Sequence, residues 1–215
     1  MTAAKNGVSA KTLHPILGFG SYPTAWAMLH RFRSAISNAG HDMLCGHVEV
    51  DETLFGGVRH GKRGRGAEGK VLVAVAVELL SPKGFGRCRL QIIPNAETET
   101  LKAFIHKHIK AGSTIYTDAL TSYPSATKDE YIHQATSIKG SGKDANEVLP
   151  GVHRVASLVK RWMMGTHQGS FEQDHLQAYL DEFTFRFNRR KSAHRGMFFF
   201  RLIEQCVAMH PVMLS

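Results

Sequence analysis

Residues 70–78, Lys-Val-Leu-Val-Ala-Val-Ala-Val-Glu, constrain the fold more than any other stretch. The run is nearly all apolar and lacks the alternation of a strand with one wet face, so it belongs inside a sheet. The rest of the chain must then supply its neighbours. Residues 46–51 form a candidate first strand, closed by Asp51. After the apolar run, Ser81-Pro82-Lys83-Gly84 reads as a turn and residues 87–93 as a third strand with alternating pattern. Residues 96–110 carry Leu101, Phe104, Ile105 and Ile109 at helical spacing, with acids early and lysines late, as the helix macrodipole prefers. Residues 113–117 make a fourth strand, closed by Asp118.

Three strands, a helix and another strand open an RNase H-like α/β domain, a mixed sheet flanked by helices. In that topology the first and fourth strands lie side by side, so Asp51 and Asp118 are expected as neighbours at adjacent strand ends. Ahead of the sheet, residues 9–13 open a short helix and Gly18-Phe19-Gly20-Ser21 is a turn. A second helix carries Trp26, Leu29, Phe32 and Ile36 at three-to-four spacing. Helix, glycine turn, helix resembles part of a helix-turn-helix and equally suits a packing appendage. Beyond the fourth strand, residues 121–148 are polar and glycine-containing, with a short strand at 131–134. Helices are expected over 152–162 and 172–188, the latter burying Leu176, Tyr179, Leu180, Phe183 and Phe187, with an apolar helical tail over 195–206. The expected division is a small helical region at 1–42 and an α/β domain at 43–215.

A carboxylate at the tip of a buried strand is costly to hold as a charge unless something positive shares it. Two such tips make a site for hard divalent cations, which prefer oxygen ligands. Two-metal chemistry needs carboxylates holding ions about 3.5–4 Å apart. The chain carries a formal net charge of +9, which suggests a polyanionic partner such as DNA or RNA. In so basic a protein the natural substrate of the site is a phosphodiester. Glu52 follows Asp51 and is expected on the opposite side of the strand, in a secondary role.

A third ligand is expected from the segment after the sheet, where His153, Glu147 and Asp144 compete. His153 is the better candidate because Lys160 lies seven residues on, two turns along the same helix face. That spacing sets an imidazole at the metals and an ammonium near the phosphates. Glu182, Arg186 and Arg189 occupy i, i+4 and i+7 of the later helix, so the acid can pair with Arg186 and leave guanidinium forks for phosphate. The adjoining Asn188-Arg189-Arg190-Lys191 cluster points to DNA contact. Lys62, Arg63 and Arg65 sit among glycines that let the backbone approach a phosphate chain, although the P-loop order is absent.

Cys45, Cys88 and Cys206 lie far apart without metal-ligand pair spacing, which argues against a zinc ribbon and fits a reducing cytoplasm. No apolar run approaches the roughly 18 residues of a membrane span, and the N-terminus lacks the apolar region of a signal peptide. The reading is a soluble, cytoplasmic protein.

At this point the motifs match a family. They are Val48-Glu49-Val50-Asp51-Glu52-Thr53-Leu54-Phe55-Gly56-Gly57, the Arg/Gly-rich loop, Tyr116-Thr117-Asp118, the segment from Lys160-Arg161-Trp162 to His167, and the segment from Tyr179 to Arg190. Together they resemble the ISXO-like transposases of bacterial insertion sequences, from about residue 8 onward. The resemblance implies a DDE-type transposase of RNase H-like fold that uses two Mg²⁺ or Mn²⁺ ions to cut element ends and join them to target DNA. It implies that Asp51 and Asp118 are the first two catalytic acids. His153 stands where the family has glutamate, asparagine or histidine, and Lys160 matches the lysine that follows. Glu182, Arg186 and Arg189 match a glutamate-arginine-arginine signature. Lys160, Arg161 and Arg190 join the expected DNA contacts. The implied partners are double-stranded DNA and further copies of the chain, as a homo-oligomer on DNA. Members usually begin with a zinc-binding ribbon and a longer DNA-recognition region. This chain starts within the latter and has no CxxC pair, which points to a truncated copy or a mis-assigned start. The alternatives are a catalytically inactive DNA-binding remnant and a nuclease of the same fold.

Overall fold

A computed structural model describes residues 7–37, 42–56, 70–137, 145–167, 173–192 and 196–208. In chain order, α1 (Ala10–Leu17) and α2 (Tyr22–Ser37) precede β1 (His47–Phe55), β2 (Val71–Leu79) and β3 (Phe85–Ile92). Next come α3 (Thr98–His108), β4 (Thr114–Thr117), α4 (Ser122–Ala126) and β5 (Ile132–Ala135). The helices α5 (Ala145–Val148), α6 (Pro150–His167), α7 (Gln173–Asn188) and α8 (Gly196–Ala208) follow. Packing divides the chain into two units, Asp42–Lys160 and a second made of Met1–His41 with Arg161–Ser215.

In the first unit the strands form one sheet in the order β3-β2-β1-β4-β5. β1 runs antiparallel to β2, with Phe55 opposite Val71, and parallel to β4, with Glu49 opposite Tyr116. β2 and β3 are antiparallel, and β4 and β5 parallel. This is the mixed RNase H-like arrangement, and the apolar run lies inside it, with Val73 to Val77 fully buried.

Strand alternation divides the side chains between two faces. On one, Val48, Val50, Ala74, Ala76 and Ile115 pack with Leu101, Phe104 and Ile105 of α3 and with Tyr123 and Ala126 of α4. Each large apolar side chain so buried contributes about 1.5–3 kcal/mol. α3 buries Leu101, Phe104 and Ile105 as its spacing predicted, while Ile109 is buried just past its end; α4, with the fully buried Tyr123, lies in a stretch expected to be polar connection. On the other face the register sets Glu49, Asp51 and Thr53 opposite Val77, Val75 and Val73.

One expectation needs correction. Asp51 does not close its strand, because β1 continues to Phe55. The reason is pairing: β2 stays bonded to β1 as far as Phe55, whereas the ladder with β4 stops at Glu49. Asp51 therefore stands just past the end of the parallel ladder rather than at the tip of a strand.

In the second unit Ser9 caps α1, its hydroxyl accepting from the Thr12 N–H at 3.1 Å. Gly18 ends that helix in the left-handed conformation at φ 62°, which glycine adopts without steric cost. Ala10, Ala25 and Leu29 form one small core with Val8, Leu13, Phe19 and Trp26, and Ile36, Phe185 and Leu202 form another. Among the described residues, no helix is long and apolar enough to cross a membrane.

Candidate active site

The stripe Glu49, Asp51, Thr53 runs along β1, and α6 lies beside it. Strand residues 49 to 53 span about 13 Å at the usual strand rise. Helix residues 152 to 160 span about 12 Å. These matched lengths let helix and strand meet repeatedly. Glu49 Oε2 accepts the backbone N–H of Val152 at 2.9 Å. His153 Nε2 stands 3.9 Å from Asp51 Oδ2. Lys160 Nζ donates to Thr53 Oγ1 at 2.6 Å and lies 5.5 Å from the Phe55 ring centre.

The first turn of α6 explains why this segment folds so. A helix start leaves up to four backbone N–H groups without helical partners. Pro150, in the first position, has none to satisfy. The N–H groups of Gly151 and Val152 bond to Glu49, and that of His153 bonds to Leu149 O at 3.3 Å. Burial holds the Glu49 carboxyl above the ordinary carboxylate range, partly offset by those two amides.

Burial, and then the nearby Lys160 charge, lower the His153 pKa, so its imidazole is neutral at neutral pH. Its Nε2 is buried and makes no hydrogen bond among the described residues. The 3.9 Å gap to Asp51 is too long for one.

Asp118 follows β4 and turns the chain, its Oδ1 accepting from Leu120 N at 3.0 Å. The β1–β4 pairing ends at Glu49 opposite Tyr116, and Asp51 and Asp118 each follow that last pair by two residues. The Tyr123 hydroxyl is held well above its ordinary pKa by burial, then by Glu52, with Asp51 and Asp118 adding to the effect. Both carboxylates thus lie within electrostatic reach of one buried hydroxyl. Glu52 takes the opposite face, as alternation requires, and accepts the Tyr123 O–H at 2.6 Å.

Among the described residues, no group of three or more His, Cys, Asp or Glu side chains is gathered into a ready metal-binding set. The donor chemistry nevertheless fits a hard divalent cation. Two carboxylates each follow the last β1–β4 pair by two residues, and a neutral imidazole turns a buried, unbonded nitrogen toward one of them. Glu147 is exposed on α5, and Asp144 lies outside the described residues.

The expected DNA-contact residues are distributed differently. Lys62, Arg63 and Arg65 lie outside the described residues, and Arg161 is exposed on α6. Glu182 does not chiefly orient Arg186. It is buried, and Arg33 Nε donates to its Oε2 at 2.8 Å, with Arg186 Nη1 at 3.8 Å from Oε1. The Arg189 guanidinium lies 3.9 Å from the Phe185 ring centre, and that of Arg190 3.8 Å from Phe187. Both follow α7 and stack on aromatic rings of that helix.

Sequence reasoning missed Glu49, Thr53, Tyr123 and Arg33. Glu49 and Thr53 carried a usable signal, since each is two residues from Asp51 and shares its strand face. Arg33 carried none: its partner is 149 residues away.

A model of the ISXO2-like transposase domain matches residues 43–188. No curated protein sequence matches the chain. Among solved structures it is similar to a chain of the simian T-cell lymphotropic virus intasome in complex with PP2A regulatory subunit B56 gamma. That likeness has 15% identity and a TM-score of 0.37, over 80% of this chain and 64% of that one. It is also similar to a chain of the Mos1 strand transfer complex, at 12% identity and a TM-score of 0.38, over 94% of this chain and 72% of that one. The chain thus spans less than two thirds of the intasome chain that it matches.

Proposed function

Because the chain belongs to the ISXO2-like transposase family, matching over residues 43–188, we propose that it is a DDE-type transposase. It cuts the ends of an insertion sequence and joins them to target DNA. The observation that carries this reading is the grouping at the end of the β1–β4 ladder. Asp51 and Asp118 each follow the last β1–β4 pair by two residues, His153 stands 3.9 Å from Asp51, and Lys160 lies two helix turns on. In this reading residues 43–215 are the catalytic domain and 1–42 belong to the DNA-recognition part.

Water first opens the phosphodiester at the element end, and the freed 3′-hydroxyl then attacks a target phosphodiester. Each step forms one P–O bond and breaks another. Asp51, Asp118 and His153 would hold Mg²⁺ or Mn²⁺, which when bound supplies an activated nucleophile and neutralises charge at the phosphorus. Neutral His153 keeps a lone pair for this role, and the aspartates supply the hard oxygens. Lys160, oriented by the Thr53 hydroxyl, places a cation beside the scissile phosphate. Lys62, Arg63, Arg65, Arg161, Arg186, Arg189 and Arg190 draw in the DNA backbone, and Glu182 supports the helix that carries Arg186 and leads into Arg189 and Arg190. The chain acts in the cytoplasm, as a homo-oligomer on paired DNA ends.

The test is end cleavage by the full chain in Mn²⁺, followed by strand transfer with pre-cut ends. Asp51→Ala and Asp118→Ala are each expected to abolish cleavage while DNA binding survives. Cleavage retained in both variants would remove the proposal, and cleavage without joining would leave a nuclease of the same fold.

A further inference from the structure

Glu49 is buried in the sheet face beneath α6 with no cation bonded to it among the described residues. Its carboxylate instead accepts the N–H groups of Gly151 and Val152, reached from a strand 103 residues earlier in the chain. With Pro150 lacking an N–H and His153 bonded to Leu149, these two bonds complete the satisfaction of the helix start. An acceptor with negative charge at a helix N-terminus also meets the positive end of the macrodipole.

The next residue after this pair is His153. Its Nε2 stands 3.9 Å from Asp51 Oδ2, and Glu49 precedes Asp51 by two residues on β1. The geometry points to Glu49 as the positioning residue that fixes the first turn of α6, and through it the His153 imidazole, against Asp51. The role of His153 in metal binding rests on the transposase reading above; the bond that fixes its place does not.

Gly151 supports the assignment. A Cβ there would stand 2.9 Å from Glu49 Oε2 and 3.1 Å from the Phe85 ring, so only glycine lets the carboxylate approach this closely. The absence of a side chain is thus tied to the same contact.

The experiment compares the full chain with Glu49→Ala, Glu49→Gln and Gly151→Ala. Thermal unfolding identifies the variants that still fold. In the metal-free protein, amide hydrogen exchange of Gly151 and Val152 and the nitrogen-15 signals of the His153 ring are recorded. Mn²⁺-dependent end cleavage then gives kcat and the KM for DNA. Glu49→Ala is expected to lose protection at both amides and to shift the His153 ring signals. Its kcat should fall on the order of 10²-fold with KM for DNA unchanged, the usual cost of displacing a catalytic group by about 1 Å. Glu49→Gln, whose amide oxygen still accepts an N–H, is expected to keep Val152 protected and recover most of the rate. Gly151→Ala should resemble Glu49→Ala with the carboxylate intact.

A folded Glu49→Ala with wild-type ring signals and kcat overturns the inference. So does a Glu49→Gln as damaged as Glu49→Ala, because the acceptor would then not be what matters. If Glu49→Ala does not fold, the contrast between Glu49→Gln and Gly151→Ala decides in the same way. If the wild type cleaves nothing, the transposase reading fails, while the metal-free signals still judge the positioning of His153.

Discussion

Lys160 is the residue whose surroundings bear most directly on rate. Its ammonium is bonded to Thr53, and burial, followed by the charge of Lys70, lowers its pKa. The protonated form is the one that neutralises phosphate, so activity should fall on the alkaline side as the ammonium loses its proton. A lowered pKa brings that fall to lower pH than a solvated lysine would show. Replacing the group with guanidinium, which stays charged throughout, should move the falling limb upward in Lys160→Arg, whatever its absolute rate. Lys160→Met should reduce kcat by roughly 10²–10³-fold, as for loss of a preorganised charge-stabilising donor. A pH–rate profile of both variants checks this; an unmoved alkaline limb in Lys160→Arg would clear Lys160 of that titration. Single residues of this kind were partly legible. Asp51 and Asp118 are candidates from their place after β-branched runs and His153 and Lys160 from their spacing, whereas Thr53, the hydroxyl that holds Lys160, carries no such mark.

The β2–β3 hairpin shows how an element is held by one side chain. The register shifts between Val77 and Leu79, and Glu78 fills the irregularity. Its carboxylate accepts from Arg87 N at 2.9 Å, Arg87 Nε at 3.0 Å, Arg87 Nη2 at 2.6 Å and Cys45 N at 3.1 Å. Burial pushes the Glu78 pKa up, but the Arg87 side chain and the two backbone amides outweigh it and leave the value lowered from 4.5. A depressed carboxylate stabilises the fold above its unfolded pKa, and that contribution disappears as pH falls through the folded value. Glu78→Gln should therefore cost about 2 kcal/mol at pH 7, in the range for hydrogen bonds to charged groups. Below pH 4.5, the ordinary value, the gap from wild type should close. Urea unfolding at pH 7 and pH 3 measures both; an equal gap at the two values would assign the effect to packing. At this scale the sequence located elements better than their ends. The apolar spacing of α3 is intrinsic to its own residues, but the length of β1 depends on a partner strand that local pattern does not reveal.

For the molecule as a whole, the second unit brings together segments from the two ends of the chain. Arg33 on α2 and Glu182 on α7 form a pair with side chains 3% and 1% exposed, and the Arg33 guanidinium lies 4.6 Å from the Tyr179 ring centre. Removing one partner of such a pair strands a charge away from water and typically costs about 3–5 kcal/mol. Arg33→Met should destabilise this unit by that amount, and Arg33→Met with Glu182→Leu should recover much of it, read by denaturant unfolding. A single variant as stable as wild type would contradict the burial of the pair. By itself, the sequence determined the kinds of element and the interior place of residues 70–78, because hydrophobic pattern and strand propensity act over a few neighbours. Only the tertiary structure decided that Asp51 lies within its strand, that Glu49 caps a helix 103 residues away and that Glu182 belongs to Arg33. Those outcomes follow from burial: a charged or polar group removed from water must take the partner that the fold brings to it, and adjacency along the chain does not select that partner.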